Sequence, residues 1–147
     1  GICFRLTGRR EEVDDLVQDV FLAAHGGLER LRNPESLRAW LAGIAVRVCR
    51  RRLRALKFRQ WVGLADVPSY LELVDGSLTS PDDRALLVSV YRCLDRLPLE
   101  QRLAWVLRHV QGEQLEDVAT LCGCSLATAK RRISAADAFI QEVMRER

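Results

Sequence analysis

Helical periodicity constrains this chain more than any other feature. Apolar residues recur every three to four positions, and no strand-like alternation competes. The clearest case runs from Glu11 to Ala24, where acidic and amide side chains flank an apolar stripe of Val13, Leu16, Val17, Val20, Phe21 and Ala24. A preceding Thr7-Gly8 pair supplies a turn, and early acids suit the positive end of a helix dipole. We therefore predict an all-α protein with an acidic amphipathic helix near its start.

A second helix start is marked by Asn33-Pro34-Glu35, in which a capping residue precedes a proline at the first helical position. The helical period then continues through Leu37, Trp40, Leu41, Ile44, Ala45 and Val48. The far end of this long helix is crowded with basic residues, namely Arg47, Arg50, Arg51, Arg52, Arg54, Lys57 and Arg59. Repulsion among these side chains destabilises the fold unless a negatively charged partner lies beside them.

The periodicity weakens over residues 62–80, which contain no basic residue and are broken by Pro68 and Gly76. We interpret this stretch as a linker, in which Tyr70, Leu71, Leu73 and Val74 form a short helix or dock on a partner. A cap and a first-turn proline, Ser80-Pro81, then restart a helix. A chain of 147 residues can form two small domains. The predicted fold is two helical bundles, residues 1–61 and 81–147, joined by this linker.

The second bundle is predicted to contain a helix-turn-helix. After a helix from Pro98 to about Val110, a short helix from Leu115 to about Leu121 meets a longer one from Leu126 to about Met144. The turn Cys122-Gly123-Cys124 and the cap Ser125 join the last two helices. Their expected apolar contacts are Val118, Ala119, Leu126 and Ile133, so the outer face of the last helix should project.

Basic charge is concentrated in the first bundle. Residues 1–59 hold thirteen Lys and Arg against seven Asp and Glu, residues 60–79 hold none against three, and the rest of the chain holds ten of each. A local basic excess favours a polyanionic partner, although an ordinary solvated helix surface explains such an excess about as often. The charge distribution alone does not distinguish a polyanion-binding surface from a solvated one, so the sequence motifs are needed to choose.

The cysteines indicate reduced thiols in a cytosolic protein rather than a disulfide framework. Their number is odd, and most lie in apolar helical patterns. The spacing Cys122-Gly123-Cys124 is wrong for a zinc knuckle, and the histidines His25 and His109 lie far away in sequence. We therefore expect no metal ion and no cofactor.

Neither an enzyme nor a membrane protein fits the sequence. There is no glycine-rich phosphate loop, no serine or cysteine paired with a plausible base, and no helix with two histidines and an acid. No apolar run approaches the roughly 20 residues that cross a bilayer, and no leader is visible. We expect a non-catalytic, cytoplasmic protein without membrane insertion. Because the chain opens at Gly1 rather than Met, we also expect an N-terminal portion to precede it.

Three segments together resemble a known family. They are DDLVQDVFLAAHGGLERL, SLRAWLAGIA and, after the linker, LDRLPLEQRLAWVLRHVQGEQLEDVATLCGCSLATAKRRI. Their order and content resemble extracytoplasmic-function (ECF) sigma factors, with the family's second and fourth conserved regions on either side of a variable linker. The resemblance implies a protein that binds core RNA polymerase and promoter DNA, and an anti-sigma factor as a further partner.

The resemblance implies that Asp15, Gln18 and Asp19 meet the clamp helices of the largest polymerase subunits. A row of carboxylates beside an apolar stripe would give orientation and association rate through complementarity with a basic partner. Without the resemblance, a merely solvated acidic face would be the preferred interpretation.

Residues 29–36 and the helix after them resemble the element that captures the melted minus-ten strand. The phosphate-binding candidates there are Arg38, Arg47, Arg50, Arg51 and Arg54. At its helical spacing, Trp40 fits the core better than a base-stacking site. The chain departs from the family at Leu31 and Leu37, where aromatics are usual, and at Arg47 and Arg51, so we expect an atypical promoter sequence.

The last helix resembles the family's recognition helix for the minus-thirty-five element. The implied DNA contacts are Ser125, Thr128, Lys130, Arg131, Arg132 and Ser134. Where the family continues with arginines, this chain has Ala135, Asp137 and Ala138, and the bundle's net charge is zero. An aspartate near phosphates is repulsive, so we expect weak DNA binding by the isolated bundle.

Three functions are thus open on the sequence alone. The first is a promoter-directing sigma factor. The second is a sigma-like regulatory module with weakened DNA reading that binds polymerase or an anti-sigma factor. The third is a helix-turn-helix repressor that works without polymerase, which the acidic first helix disfavours because a repressor has no use for it.

Overall fold

The computed structural model of the protein describes residues 1–64, 70 and 80–147. Every regular element within these residues is helical, which confirms the predicted all-α fold. The predicted short helix or docking segment at Leu71, Leu73 and Val74 lies outside the described residues.

The first bundle contains three α-helices. These are α1 (Ile2–Thr7), α2 (Val13–Gly27) and α3 (Leu37–Trp61), with single 3-10 turns at Arg10–Glu12, Leu28–Arg30 and Pro34–Ser36. The sequence did not predict α1, because six residues are too few to display a period. It ends at Gly8, whose left-handed backbone (φ 68°) lets its amide donate to the Phe4 carbonyl at 2.7 Å.

Two of the local predictions for the first bundle hold in the structure. The Asn33 side chain accepts a hydrogen bond from the Glu35 amide at 3.0 Å, so this residue does cap the turn before α3. Trp40 is half-buried and packs against the core, as its helical spacing predicted.

Only part of the predicted apolar stripe of α2 is buried. Leu16, Val20 and Ala24 lie in the core with α3 residues such as Ile44, whereas Val17 and Phe21 are exposed. The predicted stripe was therefore too wide, because α2 packs on α3 along a single line and its flank faces outward.

The second bundle contains four helices. They are α4 (Pro81–Arg96), α5 (Leu99–Trp105), α6 (Leu115–Cys122) and α7 (Leu126–Arg145). The predicted continuous helix up to Val110 differs in its second half, where Val106–Val110 form a π-helical turn directly after α5. The predicted cap Ser80 is present, since its side chain accepts from the Asp82 amide at 3.2 Å.

Helices α6 and α7 form the predicted helix-turn-helix. Gly123 ends α6 in a left-handed conformation (φ 66°), and Ser125 caps α7 by accepting from the Thr128 amide at 3.1 Å. Val118, Ala119 and Ile133 are buried between the helices, whereas Leu126 is partly exposed. The outer face of α7 consequently projects from the bundle.

The two bundles pack against each other around a buried arginine. Arg102 of α5 is only 2% exposed, and its guanidinium donates to the carbonyls of Leu6 (3.1 Å) and Thr7 (2.9 Å) and to Asp95 (2.5 Å). The Leu6 and Thr7 carbonyls belong to the last turn of α1, where a helix has no further amide of its own to donate to them. Arg102 thus stabilises the end of a helix in the other bundle.

Two tyrosines complete this contact. The Tyr91 hydroxyl donates to the Arg5 carbonyl at 2.6 Å, and Tyr70 donates to Asp95. Burial raises the pKa of Tyr91 to about 12 and raises that of Tyr70 as well. The rings pack tightly over Gly8, where an added Cβ would lie 2.6 Å from Tyr91 and 2.9 Å from Tyr70.

Candidate nucleic-acid interface

The acidic residues predicted to bind polymerase lie on one exposed face of α2. Asp15, Gln18 and Asp19 are all exposed, and no ion pair engages them within the part of the chain that the structure describes. The neighbouring Glu12 is different, because both its carboxylate oxygens accept from Arg52 of α3, at 3.1 and 3.2 Å. This hydrogen bonding raises the pKa of Arg52, and the nearby charges of Asp15 and Asp19 add to it.

The predicted phosphate-binding arginines of the first bundle divide into two groups. Arg38, Arg47, Arg51 and Arg54 are exposed. Across residues 1–64, 70 and 80–147, no carboxylate forms an ion pair with any of them. Their guanidinium groups are open to an external anion, as the prediction requires.

Arg50 has a different environment, because it points into the contact between the bundles. Its Nη2 donates to Glu100 at 3.3 Å and to the Cys122 carbonyl at 3.0 Å, and its Nε lies 3.1 Å from the Glu100 carboxylate. In this arrangement Arg50 connects α3 to α5 and to the end of α6. It is not available to a phosphate while the bundles are packed.

The predicted contact residues on α7 also divide. Lys130, Arg131 and Ser134 are exposed on the projecting face, whereas Arg132 turns inward and lies 3.5 Å from the same Glu100 carboxylate. The Ser125 hydroxyl is part of the helix cap, and Thr128, whose hydroxyl accepts weakly from Arg131 at 3.4 Å, is half-buried.

Glu100 thus joins two arginines that the sequence assigned to different stretches of DNA. Arg50 comes from the first bundle and contacts both carboxylate oxygens, and Arg132 comes from the second bundle and shares the Oε2 oxygen with it. Sequence analysis did not identify Glu100, since an acid in the first turn of a helix is ordinary in any helix. Its position between two distant arginines could be found only from the packing.

Asp137, which the sequence placed as a repulsive charge near DNA, has partners inside its own bundle. Its carboxylate accepts from the Trp105 indole at 2.7 Å and lies 3.3 Å from His109 Nε2. These contacts hold the carboxylate toward α5.

An apolar groove separates the acidic helix from the second bundle. It encloses about 850 Å³ and accounts for the exposed flank of α2, since Val17 and Phe21 form part of its wall. Leu37 and Leu41 of α3 and Leu121 of α6 line other sides, and Arg38, Glu35 and Asp117 bring charges to its lining. A partner with an apolar surface could bury these residues.

The cysteines are free thiols, and four of the five are buried. Cys3 and Cys49 face each other across α1 and α3, where the hydrogen bond between them lowers the pKa of Cys3 to about 7 and raises that of Cys49. Burial raises the pKa of Cys122 to about 11. Among the described residues, no cluster of three or more histidine, cysteine or acidic side chains is arranged to hold a metal ion.

A helix that crosses a bilayer needs roughly 20 mostly apolar residues. No helix in the described ranges has a long enough apolar stretch to cross a membrane.

Two family profiles match the chain, one in each bundle. The profile of sigma-70 region 2 covers residues 1–59, and that of sigma-70 region 4 covers residues 87–136. The chain is also 34% identical over 141 residues to the ECF RNA polymerase sigma factor SigM of Mycobacterium tuberculosis. That match includes 95% of this chain and 68% of the relative. The chain belongs to the ECF sigma factor family.

Further comparisons agree with this membership. EcfG, an ECF sigma factor of Rhodopseudomonas palustris, is 35% identical over 133 residues, which include 89% of this chain and 70% of the relative. Among solved structures, the sigma factor RpoE in complex with the anti-sigma factor NepR from Bartonella quintana aligns with a TM-score of 0.70 at 27% identity. That alignment covers 97% of this chain and 87% of RpoE. As an ECF sigma factor, the protein directs promoter-specific transcription initiation.

Proposed function

We propose that this ECF sigma factor binds core RNA polymerase through α2 and promoter DNA through α3 and α7. The observation that carries the proposal is the separation of opposite charges on its surface. Exposed carboxylates occupy α2. Exposed basic side chains that form no ion pair within the described residues occupy the outer face of α3 and, as Lys130 and Arg131, the projecting face of α7. One surface suits a basic protein partner, and the others suit a polyanion.

The polymerase contact is assigned to Asp15, Gln18 and Asp19. All three are exposed beside the apolar Val17, so a partner that meets the carboxylates also covers apolar surface. Glu12 is left out of this contact because Arg9 and Arg52 already engage it.

The DNA contacts are assigned in two steps. The residues proposed to bind DNA while the bundles are packed as described are, on α3, Arg38, Arg47, Arg51 and Arg54 and, on α7, Thr128, Lys130, Arg131 and Ser134. Arg50 and Arg132 are proposed to join them only after Glu100 has released both, because a carboxylate and a phosphate compete for the same guanidinium. Ser125 contributes through the start of α7, where backbone amides favour a phosphate.

The domain boundaries follow from the same assignment. We propose a region 2 domain over residues 1–61, a linker over 62–80 and a region 4 domain over 81–147. The protein is further proposed to act in the cytoplasm, and without catalysis, since its assigned residues bind and position rather than react.

An anti-sigma factor is the proposed regulatory partner. RpoE, which shares this fold, was solved with the anti-sigma factor NepR. In the present chain, the apolar groove beside Val17 and Phe21 could take an amphipathic helix, and the occupant would then cover the flank of the acidic face. Such a partner would compete directly with polymerase.

Transcription from purified components tests these assignments. Core polymerase is mixed with the chain, and run-off transcripts are measured from a genomic fragment library. Asp15→Ala should weaken retention of the chain on core polymerase by about 3- to 10-fold, since an interfacial charge acts mainly on association. Glu116→Ala, which removes an exposed acid from α6, serves as the matched control and should leave retention unchanged.

Arg131→Ala should instead reduce use of the upstream promoter element by about 5- to 100-fold, the range for one paired base contact. Arg145→Ala is its control at the far end of α7. If the chain binds polymerase but yields no promoter-specific transcripts, the regulatory module with weakened DNA reading replaces this proposal. Normal initiation by both Asp15→Ala and Arg131→Ala would show that the residue assignments are wrong.

A further inference from the structure

We propose that Cys3 and Cys49 form a redox-sensitive thiol pair, which hydrogen peroxide oxidises to a disulfide between α1 and α3. The two sulfur atoms lie in the core of the first bundle and not on the surfaces assigned to polymerase and DNA. The inference therefore gives a chemical role to two buried side chains that the proposed function does not use.

The two cysteines meet where α1 packs on α3. Cys3 lies in the first turn of α1 and Cys49 near the middle of α3, and both belong to the hydrophobic core. Their side chains are hydrogen-bonded to each other, although the residues are far apart in sequence. Because the sulfur atoms are already neighbours, a bond between them does not require distant parts of the chain to be brought together.

Cys3 is the more reactive of the two thiols. Burial alone raises the pKa of a thiol, as it does at Cys122, where the pKa is about 11. The pKa of Cys3 is instead lowered to about 7, because a hydrogen bond from the Cys49 thiol stabilises its thiolate and outweighs the effect of burial. The same hydrogen bond raises the pKa of Cys49, which keeps its proton. Since the thiolate is the nucleophile, Cys3 reacts first near neutral pH.

The apolar groove gives a small oxidant access to Cys3. This residue lines the groove together with Val20 and Ala45 and is 5% exposed. Cys49 follows Ala45 by one turn of α3 and is fully buried. Hydrogen peroxide is little larger than water, so a groove of about 850 Å³ admits it. The thiol that the oxidant meets first is therefore also the one with the lowered pKa.

The oxidation takes place in two steps. The Cys3 thiolate first attacks one oxygen of hydrogen peroxide, so that a sulfur–oxygen bond forms and the oxygen–oxygen bond breaks. The leaving hydroxide takes up the proton that Cys3 had released and becomes water. The Cys49 sulfur then attacks the sulfur of the Cys3 sulfenic acid, and the departing hydroxide leaves with the Cys49 proton as a second water. The two thiols together lose two electrons, and the peroxide gains them.

The disulfide would tie α1 covalently to the longest helix of its bundle. The other end of α1 carries the Leu6 and Thr7 carbonyls, which accept hydrogen bonds from Arg102 of the second bundle. Oxidation therefore fixes the segment on which the contact between the bundles is built. A covalent link across most of the first bundle also restricts the unfolded chain, so the oxidised protein should resist unfolding.

Peptide mapping of the full chain tests the pair. The chain is treated with hydrogen peroxide, its remaining thiols are blocked with iodoacetamide in denaturant, and it is digested with trypsin without reductant. Cleavage after arginine releases Cys3 in the peptide GICFR and Cys49 in the peptide VCR. We expect a linked species with the summed mass of these two peptides less two hydrogen atoms, and its loss after treatment with dithiothreitol.

Three variants assign the roles of the two thiols, with circular dichroism to verify that each is folded. When Cys49→Ala is oxidised in the presence of dimedone, Cys3 should be trapped as a sulfenic acid adduct on GICFR, because the thiol that would attack it is gone. Cys3→Ala should leave Cys49 unmodified. Cys124→Ser is the control, since it removes a more exposed thiol and should leave the linked GICFR and VCR species unchanged.

Thermal unfolding provides a second measurement on the natural chain. The oxidised protein should unfold about 5–10 °C above the reduced protein, because the disulfide constrains the unfolded state. In Cys49→Ala, peroxide should produce no such rise. Equal unfolding temperatures of the linked and reduced natural chain would refute the anchoring of α1.

The remaining outcomes overturn the pair itself. Absence of the linked GICFR and VCR species, or a disulfide between Cys122 and Cys124 in its place, would show that the contact between α1 and α3 is not a redox site. A dimedone adduct at another cysteine of Cys49→Ala, with none at Cys3, would refute Cys3 as the attacking thiol. None of these measurements involves polymerase or DNA, so their failure would leave the proposed function intact.

Discussion

The outer face of α3 and the contact between the two bundles contain the same residue type in opposite circumstances. Arg47, Arg51 and Arg54 are exposed and form no ion pair with any described residue, whereas Arg50 and Arg102 are enclosed by carboxylates and carbonyls. Only three or four positions of one helix separate Arg50 from Arg47 and Arg54. The direction in which a side chain points, rather than its place in a basic run, decides whether it holds the fold together or is available to a ligand.

The charge of an arginine therefore has a different effect in each region: it acts on stability in the contact between the bundles and on anion binding at the outer face of α3. A buried arginine stabilises the protein only while every one of its hydrogen bonds is made, because its desolvation is expensive. An exposed arginine contributes little to stability but retains its attraction for an external anion. The comparison therefore predicts that stability and DNA binding respond to different arginines.

The largest effect is expected from Arg102→Ala. The variant leaves the Asp95 carboxylate and the Leu6 and Thr7 carbonyls without their buried donor, so the free energy of unfolding should fall by about 3–5 kcal/mol. Urea unfolding followed by circular dichroism measures it. Arg51→Ala, the matched control from the outer face of α3, should change stability by less than about 0.5 kcal/mol. Comparable losses of unfolding free energy in both variants would contradict the distinction between buried and exposed arginines.

An intermediate effect is expected at alkaline pH. The raised pKa of Tyr91, about 12, means that the folded protein keeps a proton that the unfolded chain loses near pH 10. The contribution is complete below about pH 10 and is lost as pH rises through about 12, and it amounts to about 2–3 kcal/mol. Tyr70 acts in the same direction.

Urea unfolding at pH 8, 10 and 11 measures this dependence. Tyr91→Phe should be less stable than the natural chain at pH 8, because the hydrogen bond to the Arg5 carbonyl is lost, and its stability should then fall less steeply with pH. An identical pH dependence in the two proteins would show that Tyr91 does not titrate as the packing requires.

The smallest effect is expected from Glu100→Gln, which keeps the shape of the side chain and removes its charge. The pairs with Arg50 and Arg132 are partly exposed, so we expect a loss of about 1 kcal/mol. Arg132 then loses its ion pair and Arg50 keeps only its hydrogen bond to the Cys122 carbonyl, so affinity for fluorescein-labelled dT20 should rise a few-fold, measured by fluorescence anisotropy. Glu142→Gln, on an exposed pair within α7, should change neither quantity, and unchanged DNA affinity in Glu100→Gln would refute the competition between Glu100 and phosphate.

The parts of this fold that depend on neighbouring residues could be predicted from the sequence. The caps at Asn33, Ser80 and Ser125 form hydrogen bonds within three positions of themselves, and all three occur as predicted. The helix-turn-helix was predictable for the same reason, since Gly123 determines the turn and the apolar period determines the packed faces of its helices.

The contact between the bundles could not be predicted in this way. Arg102 looks in the sequence like a solvated residue of α5, although its place beside Leu99, Leu103 and Val106 on an apolar face was a signal. The inward turn of Arg50 and Arg132 left no such signal, because it depends on residues 50 and 32 positions away. Likewise, the exposure of Phe21 follows from where α3 lies and not from the period of α2.

The end of α1 has a consequence for how this protein would separate its two halves. The carbonyls of Leu6 and Thr7 accept hydrogen bonds from a guanidinium of the other bundle. If the bundles part, these carbonyls and the guanidinium lose each other and have to be solvated by water. Any ligand that favours the open form must therefore compensate for the hydrogen bonds that opening breaks.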